Sequence, residues 1–141
     1  MSQTDVKPLN WKPEPGIGYT VQRRPDGGMN LEFTDITEKT LYHWREFALQ
    51  HLLGSDRLTR NLYDVRKITS VPREVIQVAM ELNSDPAARN IRVAVVVANE
   101  EVRKAVEEVT ILTTPGGVEY GIFTDIQEAE DWLNKPLTQL I

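Results

Sequence analysis

The sequence contains no cysteine among its 141 residues. This absence excludes disulfides, thiolate metal ligands and a cysteine nucleophile. It also fits the reducing cytoplasm, which is where we expect the protein to act. A chain of this length buries roughly two-thirds of its unfolded surface when it folds, so neither a disulfide nor a structural metal is required.

Long hydrophobic runs and an excess of basic residues are also missing. The longest unbroken apolar run covers only residues 93–98, whereas a membrane-spanning helix needs about 20 apolar residues. No charged segment followed by an apolar one opens the chain, so we expect neither a signal peptide nor an integral membrane segment. The formal net charge of −5 provides no general attraction for nucleic acid.

Motifs for catalysis and metal binding are absent as well. The sequence has neither a G-x-S-x-G word nor a phosphate-binding P-loop word. His43 and His51 lie too far apart on one predicted helix to share a metal ion, and His43 with Glu46 supplies only half a site. We therefore predict no catalytic residue, no metal site and no cofactor, and we favour a non-enzymatic function over an enzyme of unknown class.

Proline is concentrated near the start of the chain, where residues 11–16 read WKPEPG. Prolines at this density prevent both a helix and a central strand, so residues 1–16 are predicted to form an extended or disordered arm. Residues 17–141 are predicted to form a single domain. For Trp11 the alternatives are a groove of this chain, a groove of a neighbouring chain, or exposure to solvent.

Hydrophobic periodicity predicts the element order β-β-α-β-α-β-α-β-α. The turn sequence P-D-G-G at residues 25–28 lies between two strand-like runs and predicts a β-hairpin. The run at 91–98 is nearly all β-branched, which is typical of a central strand that is covered on both faces. Residues 110–114 have strand preferences, yet we expect the helix from Glu100 to continue to about Leu112. The alternation predicts an α/β fold with about four helices on a mostly parallel mixed sheet of about five strands.

One short word occurs twice, as FTDITE at Phe33–Glu38 and as FTDIQE at Phe123–Glu128. Both copies follow a predicted strand and precede a predicted helix. A short carboxylate can accept hydrogen bonds from the first free backbone amides of a helix. We therefore predict that Asp35 and Asp125 are N-cap residues, each with a glutamate three residues later to complete a capping box. The alternative, a carboxylate pair for acid–base chemistry, is less favoured because capping already explains both residues.

Three segments resemble a known family. These are Asn61–Arg66, a strand that ends in aspartate; Val93–Val97, a core strand; and Gly121–Asp125, which is followed by Glu-Ala and Trp-Leu pairs. Together they resemble the SpoIIAA-like family of bacterial proteins, related in fold to STAS domains, over residues 28–134. The resemblance implies a SpoIIAA/STAS-like α/β sandwich, often a homodimer, with no established enzymatic activity.

The resemblance also draws attention to the loop after the strand that ends in Asp64. Anti-sigma-factor antagonists of the related fold carry a phosphorylatable serine there, in an Asp-Ser-Ser-Gly-like loop. Here residues 66–72 read RKITSVP, and the nearest hydroxyl groups belong to Thr69 and Ser70. Both residues also suit the start of the following helix. We therefore do not predict the phosphorylation switch.

The same loop provides the candidate ligand site. In open α/β sheets, ligands bind beyond the carboxyl ends of the strands, and basic side chains beside a helix N-terminus favour an anion. The alternative is a solvated loop with an ordinary helix cap. The predicted ligand-binding residues are Asp64, Arg66, Lys67, Thr69, Ser70 and Asn99.

Three functions remain open from the sequence. The preferred one is a regulatory or protein-interaction module, acting on a protein partner. The first alternative is a carrier of a lipid or a small apolar or anionic ligand, by analogy with Sec14-type lipid-binding domains, and a large apolar cavity would favour it. The second alternative is an enzyme, which would require convergent polar groups in a cleft.

A homodimer is expected because the first predicted helix, residues 37–53, has more apolar side chains than one core stripe can bury. The alternative is that the hairpin or the arm of the same chain covers the surplus. The core stripe consists of Leu41, Trp44, Ala48 and Leu52, and the surplus consists of Tyr42, Phe47, Leu49 and Leu53.

Overall fold

A computed structural model describes residues 11–12, 14–51, 59–84, 91–112 and 118–135. The order of strands and helices is the predicted one. The elements are β1 (Tyr19–Arg23), β2 (Met29–Phe33), α1 (Glu38–His51), β3 (Thr59–Asp64), α2 (Arg73–Asn83), β4 (Ile91–Val96), α3 (Glu100–Leu112), β5 (Val118–Phe123) and α4 (Ile126–Leu133).

The five strands form one sheet in the order β1-β2-β3-β4-β5. β1 is antiparallel to β2, and the remaining neighbours are parallel. Right-handed crossovers between successive strands place the intervening helices on one face of such a sheet. Accordingly, α1 contacts α2 and α2 contacts α3, whereas α4 packs against β3, β4 and β5. We call the face of the sheet under α1, α2 and α3 the front face. The predicted α/β fold class is confirmed.

The central strand β4 is buried along its whole length. Val93 and Val95 belong to the core cluster of the front face, and Ala94 and Val96 pack with α4 on the opposite face. Because β4 pairs with β3 and β5 and is covered on both sides, it has no polar face. The prediction made from the continuous apolar run is confirmed.

The hairpin between β1 and β2 is also confirmed. The backbone N–H of Gly27 donates to the carbonyl of Arg24 at 2.9 Å, and the Arg24 N–H donates to Gly28 O at 2.8 Å. Gly27 has a φ of 93°, in the left-handed region that glycine adopts without a steric penalty. The turn is fixed further because Asp26 accepts a hydrogen bond from Gly28 N at 2.9 Å.

The end of α3 agrees with the expected helix up to Leu112. The adjoining predictions, for the turn at 113–117 and for the C-terminal residues of the first helix after His51, lie outside the described residues. In the part of the chain that the structure describes, every helix is too short or too polar to span a bilayer.

The two copies of the repeated word behave differently. Asp125 is the N-cap of α4, and its Oδ2 accepts a hydrogen bond from Glu128 N at 3.0 Å. The prediction for Asp35 is wrong, because α1 begins only at Glu38 and the hydroxyl of Thr37 faces Thr40 N at 3.4 Å. A hydroxyl one residue before the helix start therefore takes the capping position from the carboxylate.

Asp35 instead braces the loop before α1. Its Oδ1 accepts hydrogen bonds from the Thr40 hydroxyl at 2.6 Å and from Thr37 N at 3.2 Å. The bond from Thr40 lowers the pKa of Asp35 below its usual value. The Thr40 hydroxyl also accepts from Gly18 N at 2.8 Å, so this network joins β1 to α1.

The described part of the N-terminal arm packs on its own chain. The rings of Trp11 and Tyr19 lie 5.7 Å apart between centroids. Glu14 Oε2 lies 3.0 Å from His43 Nε2, and the Lys39 ammonium donates to the carbonyl of Pro15 at 2.6 Å. Trp11 therefore has a docking place without a second subunit, and it provides no reason to expect a dimer.

The apolar surplus of α1 is smaller than the sequence suggests. Phe47 is buried, so its assignment to the surplus is wrong. The reason is that Phe47 joins the front-face core cluster, together with Trp44 and Ala48. Tyr42 and Leu49 are 67% and 40% exposed, whereas Leu53 lies outside the described residues.

Candidate functional site

The predicted anion-binding residues lie at the carboxyl end of β3 and in the loops beside it. Arg66 donates to both carboxylate oxygens of Asp64, through Nε at 2.9 Å and Nη2 at 2.8 Å. These bonds hold the pKa of Asp64 below its usual value. Lys67 lies 3.2 Å from a carboxylate oxygen of Glu32 on the neighbouring strand. Both cations therefore have carboxylate partners within the chain.

Asn99 lies at the same edge of the sheet, but its side chain caps the start of α3. Its Oδ1 accepts a hydrogen bond from Val102 N at 2.8 Å, and its Nδ2 donates to the carbonyl of Ile68 at 3.3 Å. Thr69 and Ser70 are exposed, and the N-cap position of α2 is occupied by Pro72, which makes no side-chain cap bond. The anion-binding interpretation of this edge stays a prediction.

A cavity on the front face is the more distinctive feature. It has a volume of about 160 Å³ and lies between the sheet and helices α1, α2 and α3. Its lining is almost entirely apolar and contains no charged side chain among the described residues. The sheet contributes Asn61, Tyr63, Val93, Val95 and Tyr120, among others, and the helices contribute Trp44, Ala48, Ile76, Ala79, Ala105 and Val109, among others.

Short side chains on the three helices leave room for this cavity. Ala48 on α1, Ala79 on α2 and Ala105 on α3 all line it. Each of these positions is on the apolar face of its helix, where a leucine would be the ordinary choice for filling a core. The strands below supply the opposite wall, because every second residue of a strand faces the same side.

Two polar side chains of β3 also line the cavity. Asn61 is 1% exposed, and its Oδ1 accepts a hydrogen bond from Met29 N at 3.0 Å. The hydroxyl oxygen of Tyr63 accepts from the indole N–H of Trp44 at 3.3 Å. Burial raises the pKa of Tyr63 well above its usual value, so its hydroxyl stays protonated.

The ring of Tyr63 is held in place by its neighbours. It stacks on Phe33 with 6.2 Å between ring centroids, and it meets Trp44 edge-on at the same distance. Sequence reasoning missed both Asn61 and Tyr63 as candidate site residues. The available signal was the asparagine itself, since a polar residue on the inward-facing side of a buried strand requires a partner or a function.

His43 is occupied by contacts within the chain. Its Nδ1 lies 2.7 Å from the Tyr19 hydroxyl, and its Nε2 lies beside Glu14. Among the residues that the structure describes, no group of three histidine or acidic side chains could hold a metal ion.

The comparison with known proteins concerns the fold. No family model and no curated protein matches the chain. A crystal structure of an uncharacterised DUF3478-family protein from Shewanella loihica PV-4, described as having a SpoIIAA-like fold, is similar with a TM-score of 0.60. The two chains are 19% identical, and the match covers 87% of this chain and 99% of that one. The chain therefore has a SpoIIAA-like α/β fold, as the three sequence segments indicated.

Proposed function

We propose that this protein binds a small apolar molecule in the cavity between the sheet and helices α1, α2 and α3. The observation that carries the proposal is a volume of about 160 Å³ lined almost wholly by apolar side chains. An apolar space of about 150 Å³ is large enough to accept a benzene-sized molecule. This supports the carrier alternative over a function that depends on surface contacts alone.

Burial of the apolar lining also favours an occupant. Each Å² of apolar surface that a ligand removes from water contributes about 25 cal/mol. A ligand that fills the space restores dispersion contacts that the lining side chains otherwise lack.

The lining supports binding rather than chemistry. Its described residues include no carboxylate, histidine, lysine or arginine, and these side chains provide most general acids and bases. Tyr63 is ionisable, but its raised pKa keeps the phenol neutral, so it cannot accept a proton near neutral pH. A carrier or ligand-responsive module fits these properties better than an enzyme.

Benzene is the appropriate first probe because of its size. Added at ten times its dissociation constant, it is expected to raise the free energy of unfolding by about 1.4 kcal/mol. The variant Ala105→Leu, which extends a side chain of α3 into the cavity, is expected to lose this stabilisation. Thermal unfolding with and without benzene measures the effect, and methyl shifts of Val93 and Val95 in NMR spectra report occupancy.

Ala98→Leu provides the matched control, because Ala98 is exposed and does not line the cavity. This variant should respond to benzene as the wild type does. If benzene shifts neither the unfolding temperature nor the valine methyl signals of the wild type, the proposed function is wrong. If benzene does bind, solvent extraction of freshly purified protein followed by mass spectrometry would identify the natural occupant.

A second candidate function, self-association through α1, is favoured by one observation. Among the residues that the structure describes, the large apolar side chains that remain exposed are Tyr42 and Leu49, at 67% and 40%. We propose that a second copy of the chain covers them, since one self-complementary patch serves both subunits. Light scattering coupled to size exclusion should give twice the 16.1 kDa chain mass, and Tyr42→Glu should return the monomer. A wild-type mass equal to one chain at micromolar concentration would contradict this candidate.

A further inference from the structure

The polar groups of the cavity indicate which apolar molecules it would select. Asn61 is oriented by the backbone of β2: the N–H of Met29 can only donate, so the atom that faces it at 3.0 Å is the amide oxygen. The Nδ2 group, with two donor hydrogens, is therefore on the other branch of the side chain. Within the described residues this group donates to no protein atom.

Tyr63 is in a comparable position. Its oxygen already accepts a hydrogen bond from Trp44, and its own proton has no acceptor among the residues that the structure describes. Asn61 and Tyr63 lie two residues apart on β3 and both line the cavity. Their backbones are thus roughly 6.5–7 Å apart. Asn61 and Tyr63 therefore present hydrogen-bond donors to the cavity that are unused within the described residues, and they present no unused acceptor.

Charge decides which acceptor would fit. An ionised carboxylate or phosphate in this space would be desolvated without a cation among the described lining residues, and burying an unpaired charge is strongly unfavourable. A neutral oxygen, as in a ketone, ester or ether, can accept a hydrogen bond from a neutral donor without that cost. Without such an oxygen, the Asn61 amide and the Tyr63 hydroxyl have no acceptor among the described residues, and a buried donor without an acceptor is itself unfavourable.

We propose that Asn61 and Tyr63 are the specificity-determining residues of the cavity, and that its ligand is an uncharged apolar molecule with a hydrogen-bond-accepting oxygen. This inference rests on the proposed function, because it requires the cavity to be a binding site. It goes further by naming the chemical class of the ligand. A pure hydrocarbon would fit the space but would leave both donors without a partner.

Two probes of nearly the same shape test the inference. Cyclohexanone carries a carbonyl oxygen where methylenecyclohexane carries a CH₂ group. The variant Tyr63→Phe keeps the ring that packs on Phe33 and Trp44 but removes the donor. It is expected to weaken cyclohexanone binding by about 3- to 10-fold, the ordinary effect of one neutral hydrogen bond, and to leave methylenecyclohexane binding unchanged. Comparing the ratio of the two dissociation constants between the wild type and the variant cancels the different hydration of the probes.

The control variant is Thr20→Val, which removes a hydroxyl from an exposed residue of β1 outside the cavity and should leave the ratio unchanged. An independent measurement needs no variant. In the wild type, cyclohexanone should shift the side-chain amide signals of Asn61 in ¹⁵N–¹H spectra more than methylenecyclohexane does. This measurement decides the question even if Tyr63→Phe folds poorly.

The possible failures are distinguishable. If both probes bind but the ratio is the same in wild type and Tyr63→Phe, and the Asn61 amide responds equally to both, the inference is overturned and the binding cavity remains. If neither probe binds the wild type and benzene also fails to bind, both the proposed function and the inference are wrong. Selective weakening of cyclohexanone together with a selective Asn61 shift supports both.

Discussion

Replacing Val95 with aspartate is expected to unfold the protein or to lower its free energy of unfolding by more than about 4 kcal/mol. Val95 is buried in the middle of β4, between Tyr63 of β3 and Ile122 of β5. A carboxylate at this position would be removed from water without a cation or a set of donors to compensate for its charge. Even if it were protonated, its hydroxyl and carbonyl would face an almost entirely apolar lining.

Thr20→Asp is a suitable control, because Thr20 is an exposed residue of the edge strand β1. It introduces the same side chain into a strand of the same sheet, so any general effect of aspartate on strand formation appears in both variants. Chemical denaturation monitored by far-UV circular dichroism compares them. A Val95→Asp protein with the midpoint of the Thr20→Asp protein would show that β4 is not the centre of the core.

The order of elements could be predicted because each element has its own local pattern. The run at 91–98 is too rich in β-branched residues for a helix with a polar face. The sequence P-D-G-G has few conformations other than a turn. The final helix begins at Ile126, directly after the N-cap that was predicted at Asp125, because the capping signal lies within the first turn itself. Such signals depend on neighbouring residues only, and tertiary contacts left them unchanged in this chain.

The start of α1 shows where local reasoning fails. Asp35 and Asp125 occupy the same place in the same word, but the first copy contains a second possible cap, Thr37. The Thr40 hydroxyl then donates to Asp35 and accepts from the backbone N–H of Gly18, the residue before β1. The outcome depends on a contact between Gly18 and Thr40, which are 22 positions apart and both lie outside the six-residue word.

The cavity was inaccessible to sequence reasoning for a related reason. Ala48, Ala79 and Ala105 are unremarkable residues on three separate helices, and they create a shared space only because the sheet order brings those helices side by side. The predicted rim site, in contrast, followed from a general rule about strand ends. That rule located Asp64, Arg66 and Lys67 at one edge, but it did not indicate that Arg66 pairs with Asp64 and Lys67 with Glu32.

Replacing Gly28 with alanine is expected to lower the free energy of unfolding by about 3 kcal/mol or more. A Cβ atom on Gly28 would lie 1.6 Å from the carbonyl oxygen of Arg60 and 2.7 Å from its carbonyl carbon. Both are backbone atoms of β3, which is held between β2 and β4. Relief of the clash would therefore require β2 to separate from β3 and to take the hairpin away from the rest of the sheet.

Gly121→Ala separates this backbone clash from the general effect of adding a methyl group. A Cβ atom on Gly121 would lie 2.7 Å from Cε2 of Phe123 and 3.1 Å from Cζ3 of Trp132. These are ring atoms of half-buried side chains, which can rotate or shift, so we expect a cost of only about 1 kcal/mol. Both substitutions reduce the entropy of the unfolded chain by a similar amount, and this contribution cancels in the comparison. Equal unfolding midpoints for the two variants in urea would mean that β2 can move away from β3 at little cost, and that the hairpin is not a rigid part of the sheet.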